Sequence, residues 1–449
     1  MGLKPSRYNH FFEAEDGHVL AYNAFSNSFA RVTPEKYKII KEILENPNDY
    51  SYDTEEKEKL KSDLIKGGFL IDEVLDEIEI LKMRNKIGRF STEHLGLTIA
   101  PTLACNFRCI YCFGYKKKDT MSKEIEDALI NFVEKKLEKA RSFGVSWFGG
   151  EPLLKIDIIE RLSEKFIELC NKLRVRFLEA GIITNGYFLT RKNAERLKRA
   201  NITHAQITLD GPPEVHDKRR ILKNGEGTFF KILENIKICM DIIKISIRIN
   251  IDKLNIYKTD ILFDLLDREK ILDKVTVYYG HVRPYTDSCS TISTDCLSVE
   301  EFCFFSLNTL KKQIERGKIY KTVDYPVVYR EGHCGADRLN TFLITPSGDM
   351  FKCWTETTFD RKHSIGNLLA NNSEPFQLMN LARYLNWDPF KEECLNCDIL
   401  PICLRGCPYT GMTIAKDKNC NPWRFYLKEM LKINYQLRLK RGLKASSNK

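Results

Sequence analysis

The stretch Cys105-Asn106-Phe107-Arg108-Cys109-Ile110-Tyr111-Cys112 spaces three thiols as C-x3-C-x2-C. Thiolates are nucleophiles and soft metal ligands. Three on one tight loop can bind three irons of a cubane 4Fe–4S cluster and leave the fourth iron open. Zinc competes for thiolates, but a structural zinc site takes four ligands, and no histidine or fourth cysteine lies nearby in sequence. A second set follows. Cys334 and Cys353 flank Gly348, and Cys394-x2-Cys397-x5-Cys403-x3-Cys407 precedes Cys420. Cys-x2-Cys pairs also occur in zinc ribbons, so a double zinc ribbon is the alternative for this region. Carboxylate and hydroxyl chemistry lies between the two sets, in Trp147-Phe148-Gly149-Gly150-Glu151-Pro152, Thr184-Asn185-Gly186 and the run from Gln206 to Arg220. Paired glycines let a ligand approach the backbone, and Glu151 adds a carboxylate there.

Fifteen cysteines in 449 residues suit ligation better than disulfides. The expected compartment is the cytoplasm, where thiols stay reduced. The N-terminus lacks an apolar signal core, and no window approaches the ~18 apolar residues of a membrane span. The net charge of +10 is spread over the chain, with Lys116-Lys117-Lys118 and a basic tail after Leu437. It reads mainly as a solvated lysine-rich surface. A zinc-bound, nucleic-acid-binding protein is the non-enzymatic alternative that charge and Cys pairs allow.

Six strands should position these residues: Gly96–Ala100, Val145–Phe148, Gly181–Thr184, Ala205–Leu209, Ser246–Ile251 and Lys274–Tyr279. Amphipathic helices separate them, one carrying Ile125, Leu129, Phe132, Val133 and Leu137 on a single face. Repeated βα units predict a parallel sheet whose working loops lie at the C-terminal strand ends. Residues 92–285 form this α/β segment. Residues 1–91 read as a small α+β module: a hairpin about Glu15-Asp16-Gly17, a third strand, a helix from Thr33-Pro34, a second over about 55–66 ending at Gly67-Gly68, and a third over about 72–86 stopped by Gly88. Residues 286–449 lose the βα rhythm and need metal staples to be ordered.

The cysteine loop resembles the signature of the radical S-adenosylmethionine (SAM) superfamily, and the later motifs follow in the order of its peptide-modifying members. The resemblance implies a partial (β/α)6 barrel with one 4Fe–4S cluster on Cys105, Cys109 and Cys112. SAM would be held by Gly149, Gly150 and Glu151 at its amino group, by Thr184 and Asn185, by Thr208 and Arg220, and by the Tyr111 backbone at the adenine. His216 is expected to cap or sit at the surface, and Gly225-Glu226-Gly227 to be a plain turn.

The last seven cysteines resemble the SPASM domain, which carries two auxiliary 4Fe–4S clusters. By that resemblance one cluster takes Cys334, Cys353 and Cys407, and the other Cys394, Cys397, Cys403 and Cys420. Two fully ligated cubanes take eight positions, so seven cysteines leave one open. Cys289, Cys296 or Cys303 could close it, or a substrate thiolate could; Cys170 and Cys239 read as helix core. The N-terminal module resembles the winged-helix-like leader-recognition element of peptide maturases, including Tyr22-Asn23. The implied function is radical modification of a ribosomally made precursor peptide with a leader, closing an intramolecular thioether. A ferredoxin or flavodoxin would donate electrons, and neither nucleic acid nor membrane is an expected partner. C–C or C–O cross-linking is the alternative. Sulfatase-maturing formylglycine formation is a further one, weakened because Trp354 stands where that branch has an acid, with Glu356 nearby.

Overall fold

The computed structural model describes residues 2–112, 119–283, 294–317, 323–329, 332–356, 360–413 and 420–446. Lys116-Lys117-Lys118 and Cys289 lie outside them. The chain packs as two compact units that interleave in sequence. One comprises Met1–Arg89, Val323–Cys334 and Asp388–Lys449; the other comprises Phe90–Thr322 and Gly335–Trp387. Among the described residues, no helix is long and apolar enough to cross a membrane.

In the first unit β1 (Leu3–Pro5) pairs antiparallel with β5 (Leu70–Asp72). Strands β2 (Asn9–Glu13), β3 (Val19–Asn23) and β4 (Ser28–Val32) form an antiparallel meander in that order. Gly17 supplies the positive φ of +80° for the β2–β3 turn, and Ala14 N donates to His18 O at 2.8 Å. Helix Pro34–Glu45 is capped by the Thr33 hydroxyl, and helix Glu55–Gly67 ends on left-handed Gly68. The third helix is Glu77–Phe90, not 72–86. Asp72 is taken by β5, and the helix runs through Gly88. A helical glycine costs only about 1 kcal/mol, and Ile78, Leu81 and Arg89 are buried along the helix.

The last part of the chain completes this unit's core. Ile399, Leu400, Ile402, Leu427 and Leu431 pack with Tyr8, Tyr22, Ile78 and Leu81. Polar ties match: Arg7 donates to Leu395 O at 2.8 Å, the His10 ring lies 3.1 Å from Asp398 O, and Tyr435 OH donates to Asp16 at 2.6 Å. The cysteine-rich tail thus finds its apolar partners more than 300 residues upstream.

The second unit is built on β6 (His94–Ile99), β7 (Ser142–Trp147), β8 (Arg176–Phe177), β9 (Ala180–Thr184), β10 (Ile202–Thr208), β11 (Lys244–Ile251) and β12 (Thr276–His281). The parallel order is β6-β7-β9-β10-β11-β12, with the short β8 beside β7. All six expected strands are present. Alternate residues Leu95, Leu97 and Ile99, then Ile247, Ile249 and Ile251, are buried in the core with the surrounding helices. The sequence reading placed little strand structure after residue 284. The structure adds β13 (Thr341–Ile344) parallel to β6, then β14 (Asp349–Phe351) and β15 (Gly366–Asn367) antiparallel. These strands are only two to four residues long. Periodicity needs more residues than that to register.

At the end of β12, His281 lies stacked on Phe302 at 4.6 Å and 2.7 Å from Leu297 O. Burial, helped by Arg283, lowers its pKa from 6.5 to about 4. The unfolded chain therefore binds the extra proton first, and stability is lost as pH falls from 6.5 toward 4. Thermal melts across that window should show a smaller drop for His281→Gln than for wild type; parallel curves would refute it.

Candidate functional site

The three-thiol loop begins at Cys105, six residues past the end of β6, and is stitched to two other segments. Leu103 N donates to Asp119 O at 2.9 Å, Arg108 N to Ile221 O at 3.0 Å, and Ile110 N to Arg219 O at 3.1 Å. Phe107 is buried and bridges Leu222. Gly149 and Gly150 form its seat. Gly150 N donates to Thr102 O at 3.0 Å and Glu151 N to Ala104 O at 2.8 Å. A Cβ on Gly149 would strike Thr102 O, and one on Gly150 would strike the carbonyls of Leu103 and Ala104. The close approach expected of a ligand is made, at these glycines, by the chain's own loop.

The thiols sit in an unfavourable place for bare thiolates. Burial first, then the nearby Glu151, Cys109 and Cys112, pushes Cys105 up to about 12. Burial also raises Cys109, against the opposing pull of Arg220. A cationic metal core is the partner that reverses this penalty, so the donor set fits an iron–sulfur cluster.

Glu151 is fully buried. Its carboxylate accepts from Thr184 Oγ1 at 2.7 Å, Leu153 N at 3.0 Å and Asn185 N at 2.7 Å. Burial nonetheless raises its pKa. Three of a carboxylate's roughly four acceptor positions are therefore used inside the protein. Asn185 Nδ2 donates to Asn106 Oδ1 at 2.8 Å, tying the β9 end to the cysteine loop. Thr208 ends β10 and is buried.

Tyr111 is bound through its side chain. Its hydroxyl donates to Asp210, and accepts from Arg220 at 2.8 Å and Asn250 Nδ2 at 3.2 Å. Arg220 is buried, and its Nε has no hydrogen-bond partner. An anionic group beside it would satisfy that donor. Arg219 is held by Asp210 at 3.4 Å and Asp252 at 2.8 Å. Sequence reading assigned no role to Asp210, Asn250 or Asp252. The signal was there: polar residues at the C-terminal ends of two parallel strands. His216 is not at the surface. It is fully buried, accepts from Asp210 N at 3.3 Å and lies 3.1 Å from Thr228 Oγ1.

In the first unit Cys394, Cys397, Cys403 and Cys420 are neighbours. Burial first, then the neighbouring Cys397, Cys420 and Cys394, lifts Cys403 to about 12. Arg424 Nη1 lies 4.0 Å from Cys397 Sγ and 3.2 Å from Asp398. Cys334 and Cys407 belong to this unit, Cys353 to the other. Cys303 is buried in helix Val299–Glu315, and Cys296 is partly buried. Cys170 and Cys239 are buried helix residues, as expected. Among the described residues no three His, Cys, Asp or Glu side chains close around one metal ion; a cubane spreads its thiolates over separate irons. In the second unit Trp354 packs on Phe148 at 4.3 Å, and Glu356 is buried against Arg383.

Residues 99–256 match the family model of the Radical SAM superfamily. That stretch is similar to a radical SAM domain. It is 29% identical over 253 residues to an Fe-coproporphyrin III synthase of Methanosarcina barkeri, covering 54% of this chain and 57% of that protein. It is 25% identical over 260 residues to the radical SAM cyclopropyl synthase TigE of Paramaledivibacter caminithermalis, covering 52% and 53%. The chain thus spans little more than half the length of these relatives. Among solved structures, anSMEcpe with bound AdoMet and Kp18Cys peptide superposes with a TM-score of 0.60 at 17% identity, over 76% of this chain and 99% of that one. Streptococcus suis SuiB bound to precursor peptide SuiA gives 0.53 at 13% identity, over 93% and 98%. These likenesses establish a shared fold.

The Gly150 seat gives a direct test. Gly150→Ala should lift the loop and sharply reduce iron and sulfide incorporated per chain. Far-UV circular dichroism should be unchanged, because the contact lies at a loop. Full incorporation in that variant would refute the seating role.

Proposed function

We propose that this chain is a radical SAM enzyme that modifies a ribosomally made precursor peptide, closing an intramolecular thioether. The observation that carries the peptide reading is fold likeness along 93% of the chain to a protein solved with its precursor peptide. When bound, the cluster and SAM supply a 5′-deoxyadenosyl radical able to take a hydrogen atom from a substrate carbon. Cys105, Cys109 and Cys112 would hold the cluster. Thr208 and the orphaned Nε of Arg220 would receive the SAM carboxylate, with Gly149, Gly150, Glu151, Thr184 and Asn185 lining the amino-group side. The chain's own residues would orient the reactants at the C-terminal ends of the strands.

The thioether reading rests on the seven-cysteine pattern. It is one thiolate short of two fully ligated cubanes, which leaves an iron for a substrate sulfur. Cys394, Cys397, Cys403 and Cys420 would hold one of these clusters, and an auxiliary cluster would accept the electron left after bond closure. A ferredoxin or flavodoxin would supply the first electron. C–C or C–O cross-linking is the second reading. Formylglycine formation loses support, because the Glu356 carboxylate is taken up by Arg383 and Trp354 is packed on Phe148.

The leader would add as a strand beside β4. This is an outer strand of its sheet, Ala30 and Arg31 are exposed, and among the described residues no strand pairs with its free edge.

Anaerobically reconstituted protein with reductant, SAM and a short Cys-containing peptide encoded beside its gene should release 5′-deoxyadenosine and a peptide two hydrogens lighter. Cys105→Ala should abolish both, and iron-free, SAM-indifferent wild type would sink the reading. Ala30→Pro should weaken peptide binding by about tenfold or more, through a lost edge geometry, while leaving peptide-independent SAM cleavage intact. Unchanged peptide affinity would exclude β4 as the docking edge.

A further inference from the structure

Strand alternation divides the parallel sheet into two faces. Ile207, Ile247 and Ile249 are fully buried in the core on one. Gln206, Thr208, Arg248, Asn250 and Tyr278 therefore share the other. In the register of β10, β11 and β12, Arg248 stands beside Thr208 on one side and Tyr278 on the other. It is thus one strand spacing, about 4.8 Å, from the hydroxyl residue proposed for SAM.

Arg248 is partly buried and is held by its inner nitrogen. Nε donates to Asn250 Oδ1 at 2.8 Å. Asn250 in turn donates to the Tyr111 hydroxyl in the cysteine loop. Tyr278 lies against the guanidinium and donates its own hydroxyl to Gln206. Room for the guanidinium comes from Gly280, where a Cβ would occupy the place of Nε. Among the described residues Arg248 makes no ion pair with a carboxylate. Arg219, the last residue of the short helix Pro213–Arg219, has two. An arginine is costly to hold in such a place without an anion. The planar fork of donors matches a carboxylate.

The geometry points to Arg248 as the anchor for a carboxylate of the substrate, an Asp or Glu side chain close to the carbon that reacts. This rests on the peptide reading above. SAM's own carboxylate is the other source of the same chemistry. It is already provided for by Thr208 and the unpartnered Arg220 Nε.

The test uses the full chain, reconstituted anaerobically and saturated with SAM. Two blocked peptides, acetyl-Gly-Glu-Gly-amide and acetyl-Gly-Gln-Gly-amide, are titrated by ligand-observed NMR. Wild type should bind the Glu peptide about tenfold more tightly. Arg248→Gln should bring the ratio to about one. Gly280→Ala, which displaces the guanidinium without removing it, should do the same, and Arg248→Lys should retain part of the preference. Equal binding of the two peptides by wild type overturns the proposal. So does an Arg248→Gln variant that keeps the Glu preference but binds SAM tenfold more weakly, which would assign the guanidinium to the sulfonium cofactor. Wild type that binds neither SAM nor either peptide overturns the radical SAM peptide reading itself, a result distinct from the other two.

Discussion

Backbone packed on backbone governs this molecule's chemistry. The segment from Thr102 to Ala104 lies so close over Gly149 and Gly150 that no side chain fits between them. Two hydrogen bonds across that contact, from Gly150 N and Glu151 N, set the height and direction at which the thiol loop leaves β6. The three sulfurs, the Phe107 bridge and the Asn185–Asn106 link all follow from that starting point. A shift at the seat would move every one of them.

Around the seat the electrostatics are arranged for guests of opposite sign. Burial makes the cysteines poor thiolates in the absence of a cation. Burial also raises Glu151, so its three hydrogen bonds only partly offset the loss of water. On the other side, Arg220 Nε lacks a hydrogen-bond partner, as do both Nη atoms of Arg219, while ion pairs with Asp210 and Asp252 hold Arg219 beside the Asp210 hub. Positive iron near the thiols and an anion near Arg220 each relieve a cost that the polypeptide alone carries.

The first unit follows a different logic. Its N-terminal sheet buries Tyr8 and Tyr22 against Ile399, Leu400, Ile402, Leu427 and Leu431, so the four-cysteine segment folds onto the meander rather than apart from it. His10 on β2 touches Asp398, next to Cys397. Consecutive segments of sequence suggested separate modules there. Apolar complementarity between distant segments made one core, and no local pattern in either segment reports it.

The sequence alone determined whatever depends on spacing and short period. That includes the three-thiol loop, the six parallel strands, the Thr33 and Gly68 helix boundaries, and the core cysteines Cys170 and Cys239. These are legible because ligand spacing, alternation and capping act over a few residues. Tertiary structure decided the rest: that the glycines seat a loop, that His216 is buried, that Glu356 is taken by Arg383, and that helix Glu77–Phe90 runs through Gly88. It also brought Tyr111, Asp210, Arg220 and Asn250 into one network from a loop, a strand end, the end of a short helix and the next strand. Such placements are fixed by which surfaces must exclude water together, and that free energy is shared among residues far apart in the chain.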